Sequence, residues 1–457
     1  MPLRNLFIIL VTIGVCLACH SAASKSRYAN MFAEAMRVVE TESLKVVPRE
    51  QLFTSAMDGM LSELDRHSIY ISGNAYQRFD ESLRQQFGGV GIYVDSEPDN
   101  SALVILASSP DTPAAEAGLI SGDRIVEING ESTKGLVTSE GIKKLKGPIG
   151  ESVSLSILRG NDTFPVDLVR RTIPVASVHG DFRNEGAWVF HLEDHPRIGY
   201  VRLRQFGEQT ADELSDALAS VSGKVDSIII DLRNNSGGLL TSAIRVCDMF
   251  LDEDKDIVRI NGRGGRLENT HLSTKDREVN PAIPVIVLVN RESASASEIV
   301  AGCLQDHERA TIVGEQSWGK GTVQNVIPIR PNHSAIKITT ASYSRPSGTA
   351  IDREDPDVVE TGHWGVWPEE EHQLELSQID VSRNRLRRQV KDIRTLIPVD
   401  KRKDVLKLLT IAADKPVEGS DATKEERIKA RDLLSEPDRV MEKAIELLSE
   451  AVAKQAA

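Results

Sequence analysis

Apolar residues recur every three and four positions in "MFAEAMRVVETESLKVV" and "REQLFTSAMDGMLSELD". That spacing lines one face of a helix and predicts helical structure through residues 27–85, ended by Gly88 and Gly89. The pattern then changes. "VGIYVDSE" and "SALVILAS" read as strands, and "SPDTPAAEAGL" as a turn and short helix. "SGDRIVEINGEST" is a strand between turns, "TSEGIKKLKG" a short helix, and "ESVSLSILRGNDTFPVDLVRR" a hairpin. Residues 87–172 therefore predict a compact β-rich module.

From about residue 190 strand, loop and helix alternate. "RIGYVRLRQF", "KVDSIIIDLRNN", "IPVIVLVN" and "RATIVGEQ" are strand candidates, with helices at 210–222, 239–252 and 295–305. The unbroken apolar runs "SIIID" and "IPVIVLV" predict strands covered on both faces. The pattern is that of an α/β core. After about 373 the chain becomes charged and helical, as in "DRVMEKAIELLSEAVAKQ", and predicts a solvated helical appendage.

Composition narrows the function. At 457 residues two or three domains are expected. A net charge of −13 argues against non-specific nucleic-acid binding, which needs a basic surface. With 4% aromatic residues, no stacking platform for bases stands out. One arginine, Arg4, precedes the apolar run "LFIILVTIGVCLAC", which is too short to span a bilayer, and small residues follow at "HSAAS". This predicts an export signal over residues 1–23. A lipoprotein modified at Cys19 and an uncleaved anchor are the alternatives. Cys247 and Cys303, in helix-like stretches, are expected as buried thiols rather than a disulfide framework.

Two stretches carry candidate chemistry. In "FGGVGI" the glycines lie beside a strand, so that the amides of Val90, Gly91 and Ile92, after Gly89, can face a peptide's terminal carboxylate while the strand pairs with the peptide. Arg170, at the end of the module, is either an exposed strand charge or a link from this module to the active site. The second stretch is "GEQSWGKGT". It resembles a phosphate-binding loop, but Gly321 and the β-branched "TVQNVIPI" follow Lys320 where a helix is required. It also contains S-x-x-K from Ser317, but Gly319 and Gly321 argue against the helix that motif needs. A third reading pairs Lys320 with "NRESASASEIVAGCL". There a strand gives way to a helix near Ser295, where a nucleophile stands beside amide donors and a helix N-terminus. Ser295 and Glu298 also form an S-x-x-E capping box, which many serines serve without any chemistry. Gln324, four residues past Lys320, is placed to orient the amine if both lie on one strand face.

Together these stretches resemble the carboxyl-terminal processing (tail-specific) peptidases, secreted serine proteases with a Ser–Lys dyad. "FGGVGIYV" and "PAAEAGLISGDRIVEING" resemble the family's PDZ domain. "DLRNNSGGLL" resembles its D-L-R-x-N-x-G-G motif, with Ser236 in place of the usual Pro. "NRESASASEI" resembles its nucleophile turn, "GEQSWGKGTVQ" its lysine strand, and "TASYSRPSG" and "GVWPEEE" its closing motifs. The resemblance implies a crotonase-like protease core at 173–372 with an inserted PDZ domain at 87–172. Helical segments at 24–86 and 373–457 flank them. It implies Ser295 as nucleophile, Lys320 as general base, Gln324 as orienting residue, and the amides of Ala296 and Gly237 as oxyanion donors. The expected partners are proteins with unstructured C-termini, and a homo-oligomer is compatible with the terminal helices. The chemistry calls for no metal or organic cofactor. The location implied is the bacterial periplasm or cell envelope, with or without a membrane anchor. A catalytically inert PDZ scaffold and a hydrolase built on Ser317 are the rival readings.

Overall fold

The computed structural model describes residues 12–14, 27–97, 101–184, 186–274, 277–329, 334–394, 396–397 and 437–456. Apart from 12–14, the export signal expected at 1–23 lies outside them. Among the described residues no helix is long and apolar enough to cross a membrane. The chain divides into two units, residues 1–77 with 324–339, and residues 78–323 with 340–457.

In the first unit the predicted helices appear as α1 (Arg27–Glu42) and α2 (Arg49–Ser62). A short strand follows, β1 (Ile69–Ile71), antiparallel to Ala335–Lys337. Ser68 fixes this pairing: its hydroxyl donates to Asp65 at 2.7 Å and accepts the Thr339 N–H at 3.1 Å.

The second unit begins with the β-rich module. Strands β2 (Gln86–Gly89), β3 (Ile92–Ser96), β4 (Leu103–Ser108), β5 (Arg124–Ile128), β6 (Ser152–Arg159), β7 (Asp162–Val169) and β8 (Arg171–Pro174) pair antiparallel. The order is β3-β4-β5-β6-β7, with β2 on β8. Helices α3 (Pro113–Glu116) and α4 (Thr138–Leu145) complete the module around Leu103, Ile105, Ile125 and Ile157, all fully buried. At Gly141 a side chain would meet Leu103 at 2.3 Å, so glycine lets α4 lie close to β4.

The α/β core is one mixed sheet. It runs β9 (Val178–His179), β10 (Ile198–Leu203), β11 (Ser227–Asp231), β14 (Val285–Val289), β15 (Thr311–Gly314); all pairs are parallel except the first. Every residue of β11 and β14 is buried, as their apolar runs predict. Alternation sorts their side chains. Ile228, Ile230, Val285 and Val287 meet α5 (Thr210–Val221), α6 (Leu240–Asp248) and α7 (Ala296–Asp306). Ile229, Ile286 and Leu288 meet Val440, Met441, Ala444 and Leu448 of α9 (Arg439–Ala456). The expected solvated appendage is therefore corrected. The helix's charges face outward, while its apolar residues at spacings of three and four close the second face of the sheet. The helix before it, α8 (Gln378–Ile393), packs Leu386 and Ile393 against Leu106 of β4. A further antiparallel pair, β12 (Asp256–Asn261) and β13 (Leu267–Leu272), joins Ser342–Ser344 of the long strand β17 (Ser334–Ser344), which follows β16 (Thr322–Ile329).

Candidate active site

The strand β14 ends at Val289 and α7 begins at Ala296. The turn between them carries three alternating serines, and the structure gives them different duties. Ser293 and Ser297 are fully buried and donate their hydroxyls to the carbonyls of Leu232 and Asn235, both at 2.8 Å. Ser295 is half-buried at the helix N-cap, with φ 56° and ψ −116°. A non-glycine residue held there costs on the order of 1–3 kcal/mol, which its surroundings must offset. Ala294 N–H is held by Asn235 O at 3.0 Å, and Ser295 N–H by Glu298 Oε2 at 2.7 Å.

Glu298 does more than complete a capping box. It is 0% exposed, and its carboxylate also accepts the Lys320 N–H at 2.9 Å, the Gly319 N–H at 2.6 Å and the Ser317 hydroxyl at 2.6 Å. One carboxylate thus holds the backbones of the serine turn and the lysine loop together. Burial pushes its pKa up to about 7, against the pull of these donors. A second group does the same from the carbonyl side. The buried Tyr343 hydroxyl lies 3.2 Å from Ser295 O and donates to Lys320 O.

The lysine loop is irregular from Glu315 to Gly321. There is no helix at Ser317, whose hydroxyl is buried and already shared with Glu298 and the Val366 N–H. There is also none after Lys320, where β16 starts at Thr322. The S-x-x-K and phosphate-loop readings both fail on these grounds. The shared strand face expected for Lys320 and Gln324 needs correction too. Lys320 precedes the strand, because Gly319 turns at φ +83° and Gly321 runs against Asp352, where a Cβ would sit 2.6 Å from its backbone nitrogen. Gln324 is in β16, and its amide nitrogen donates to Thr339 at 3.3 Å.

The glycine loop after β11 reaches the same turn. Gly237, at φ +100°, leaves no room for a side chain: a Cβ would stand 2.8 Å from Ser295 Cβ and 3.0 Å from Ala296 N. Its N–H, however, is donated to Asn235 Oδ1 at 2.9 Å. The N–H groups of Ala296 and Gly238 are given to no other described residue. The loop is anchored by Arg233, buried between Asp231 (2.6 Å) and Asp438 (3.0 Å). In the β-rich module Val90 is buried and Gly91 turns at φ +79° against Thr112, where a Cβ would fall 2.3 Å from the Thr112 Cβ. Gly89 pairs with Arg171, and Ile92 opens β3.

A model of peptidase family S41 matches residues 197–360, and a PDZ domain model matches residues 104–159. A carboxy-terminal-processing protease of Bartonella bacilliformis is 39% identical over 327 residues, covering 70% of this chain and 71% of its own. The chain belongs to peptidase family S41. The carboxy-terminal processing protease CtpB of Bacillus subtilis is 31% identical over 74% of the S41 chain and 69% of its own. Among solved structures, a photosystem II D1 C-terminal processing protease is 26% identical, covers 77% of this chain and 94% of its own, and has a TM-score of 0.42.

This S41 serine protease holds two features that sequence reasoning missed, and corrects one that it raised. Tyr343 sits inside "TASYSRPSG", with no local signal of its long-range bonds. Trp364 packs on Gly319 beside the lysine, where a Cβ would be 2.4 Å from its ring. Arg170 is buried rather than exposed, and donates to the carbonyls of Leu145 (3.0 Å), Lys144 (3.1 Å) and Ser152 (3.3 Å). It closes the end of α4. Cys247 and Cys303 are free and buried, as expected.

Proposed function

We propose that this peptidase cleaves protein chains near their C-termini by acyl transfer, with Ser295 as nucleophile and neutral Lys320 as general base. Ser295 Oγ attacks the peptide carbonyl carbon as its proton passes to Lys320 Nζ. The C–N bond then breaks, the departing amine takes that proton, and an ester to Ser295 remains. Water, deprotonated by the same amine, hydrolyses the ester. The observation that carries this reading is the double tie between the two residues: Glu298 holds both N–H groups, and Tyr343 meets both carbonyls. Such ties keep a nucleophile and its base in a fixed relation. The general-base role requires Lys320 to be neutral when it takes the serine proton.

For the oxyanion, the Ala296 N–H is open at the helix N-terminus; Gly237 N–H serves once it exchanges its bond to Asn235 for one to substrate. Gln324 is assigned the orienting role on its position four residues past the lysine. The PDZ domain holds the substrate's free terminus on the amides of Val90, Gly91 and Ile92, the core is crotonase-like, and the enzyme works after export into the cell envelope. Two variants test the dyad. Ser295→Ala is expected to stay folded and to lose at least about 1,000-fold in kcat. Lys320→Arg is expected to be inactive, because a guanidinium stays protonated. Either variant retaining a tenth of wild-type activity ends the dyad reading, and a wild-type protein that binds tails without cutting them supports the scaffold instead.

A further inference from the structure

A cavity of about 890 Å³ lies where the PDZ module faces the core. One wall is the carboxylate loop with β3 and the end of α4; the other is core and α8. Its size is that of a ligand site rather than a packing gap. Six cationic side chains line it, Lys146, Arg202, Arg204, Arg233, Arg385 and Arg388, against three anionic ones, Asp231, Glu292 and Asp392. That excess stands out in a chain of net charge −13.

Most of these cations are already spoken for. Arg202 pairs with Asp392 at 2.6 Å, Arg233 with Asp231 and Asp438, Arg385 with Glu292 at 3.3 Å, and Arg388 with Asp181 at 2.9 Å. Lys146 stands 3.7 Å over the Phe87 ring at the mouth of the carboxylate loop. Arg204 is different. It is solvent-exposed, and its side chain has no ion pair or hydrogen bond among the described residues. Its electrostatic neighbours are Arg202, Asp392 and the Tyr93 phenol of β3.

A tail whose carboxylate rests on the amides of Val90 and Gly91 would run along β3, advancing about 3.4 Å per residue. The residue beside Tyr93 then lies one to three positions before the terminus. We propose that this cavity selects protein tails with an Asp or Glu in the three positions preceding the C-terminal residue, and that Arg204 reads that carboxylate. The proposal rests on the tail-binding reading above and adds a substrate class to it. An unpaired guanidinium beside the peptide strand gains a charge-assisted, bidentate partner from such a tail, and meets only a neutral group or a repulsive one otherwise.

The test uses the full chain carrying Ser295→Ala, so that bound peptides stay intact. Fluorescence anisotropy compares peptides identical except for Asp, Asn or Lys at each of the three positions, each with a free or an amidated terminus. The Asp free acid is expected to bind about 3- to 10-fold tighter than the Asn peptide at one position or more, with Lys weakest. The Asp-to-Asn ratio is expected to shrink as salt is raised. Adding Arg204→Gln is expected to bring the Asp peptide to the affinity of the Asn peptide. Equal binding of Asp and Asn peptides at all three positions, or a preference that survives Arg204→Gln, overturns the proposal. Loss of the free-acid preference over the amide fails the tail-binding reading itself, so the two failures are told apart.

Discussion

Glu298 accepts four hydrogen bonds, from the Ser295, Gly319 and Lys320 N–H groups and the Ser317 hydroxyl. Glutamine in its place turns one acceptor oxygen into a donor. Whichever way that amide is placed, it points N–H at N–H, either at Ser295 and Lys320 or at Gly319. Glu298→Gln is therefore expected to fold but to lose about 100-fold in kcat, with KM changed far less, because in the proposed mechanism it positions Ser295 and Lys320 without touching substrate. Steady-state kinetics and a thermal melt check this; full activity in the variant would show that the carboxylate only caps the helix. The local sequence gave the capping box correctly and could give no more. Three of the four donors come from 317–320, and nothing in "SASASE" announces them.

Elements whose burial is settled by their own pattern were legible. The runs "SIIID" and "IPVIVLV" became β11 and β14, and the helices at 210–222 and 295–305 became α5 and α7 within a residue or so. What a helix packs against was not legible. The charges of α9 suggested solvent, yet Val440, Ala444 and Leu448 complete the core. Just ahead of that helix Asp438 reaches Arg233, which immediately precedes Asn234 at the start of the glycine loop. Removing one partner of a buried pair costs about 3–5 kcal/mol. Asp438→Ala should thus lower both melting temperature and kcat, whereas Leu448→Ala, at about 2–5 kcal/mol, should lower the melting temperature with kcat nearly intact below the transition. Equal kcat in the two variants would mean that the loop keeps its shape without the Arg233–Asp438 pair.

Across the whole molecule, two buried groups pull stability in opposite directions over one pH range. Burial pushes His179 down to about 4; its ring lies stacked on Trp188 at 4.2 Å, with Arg202 donating to Nδ1 at 3.0 Å. The folded protein keeps this histidine neutral while the unfolded chain protonates it near 6.5, so stability falls as pH drops from about 6.5 to 4. Glu298 behaves oppositely. Its folded pKa of about 7 exceeds the ordinary 4.5, so its contribution is full below about 4.5 and is lost as pH rises through 7. Each amounts to about 3 kcal/mol at about 1.4 kcal/mol per unit. The wild-type melting temperature should consequently change little between about pH 4.5 and 6.5. His179→Gln should leave a slope falling with pH, and Glu298→Gln a slope rising with it. Melting curves across that range check both signs, and parallel slopes in the two variants would refute the balance.

Ser295 and Tyr343 meet across 48 positions of sequence. A ribosome delivers the serine first, the lysine next and the tyrosine last. Until that last strand is threaded home, neither carbonyl has its common hydroxyl, and the serine turn and the lysine loop lack the tie that joins them from the carbonyl side.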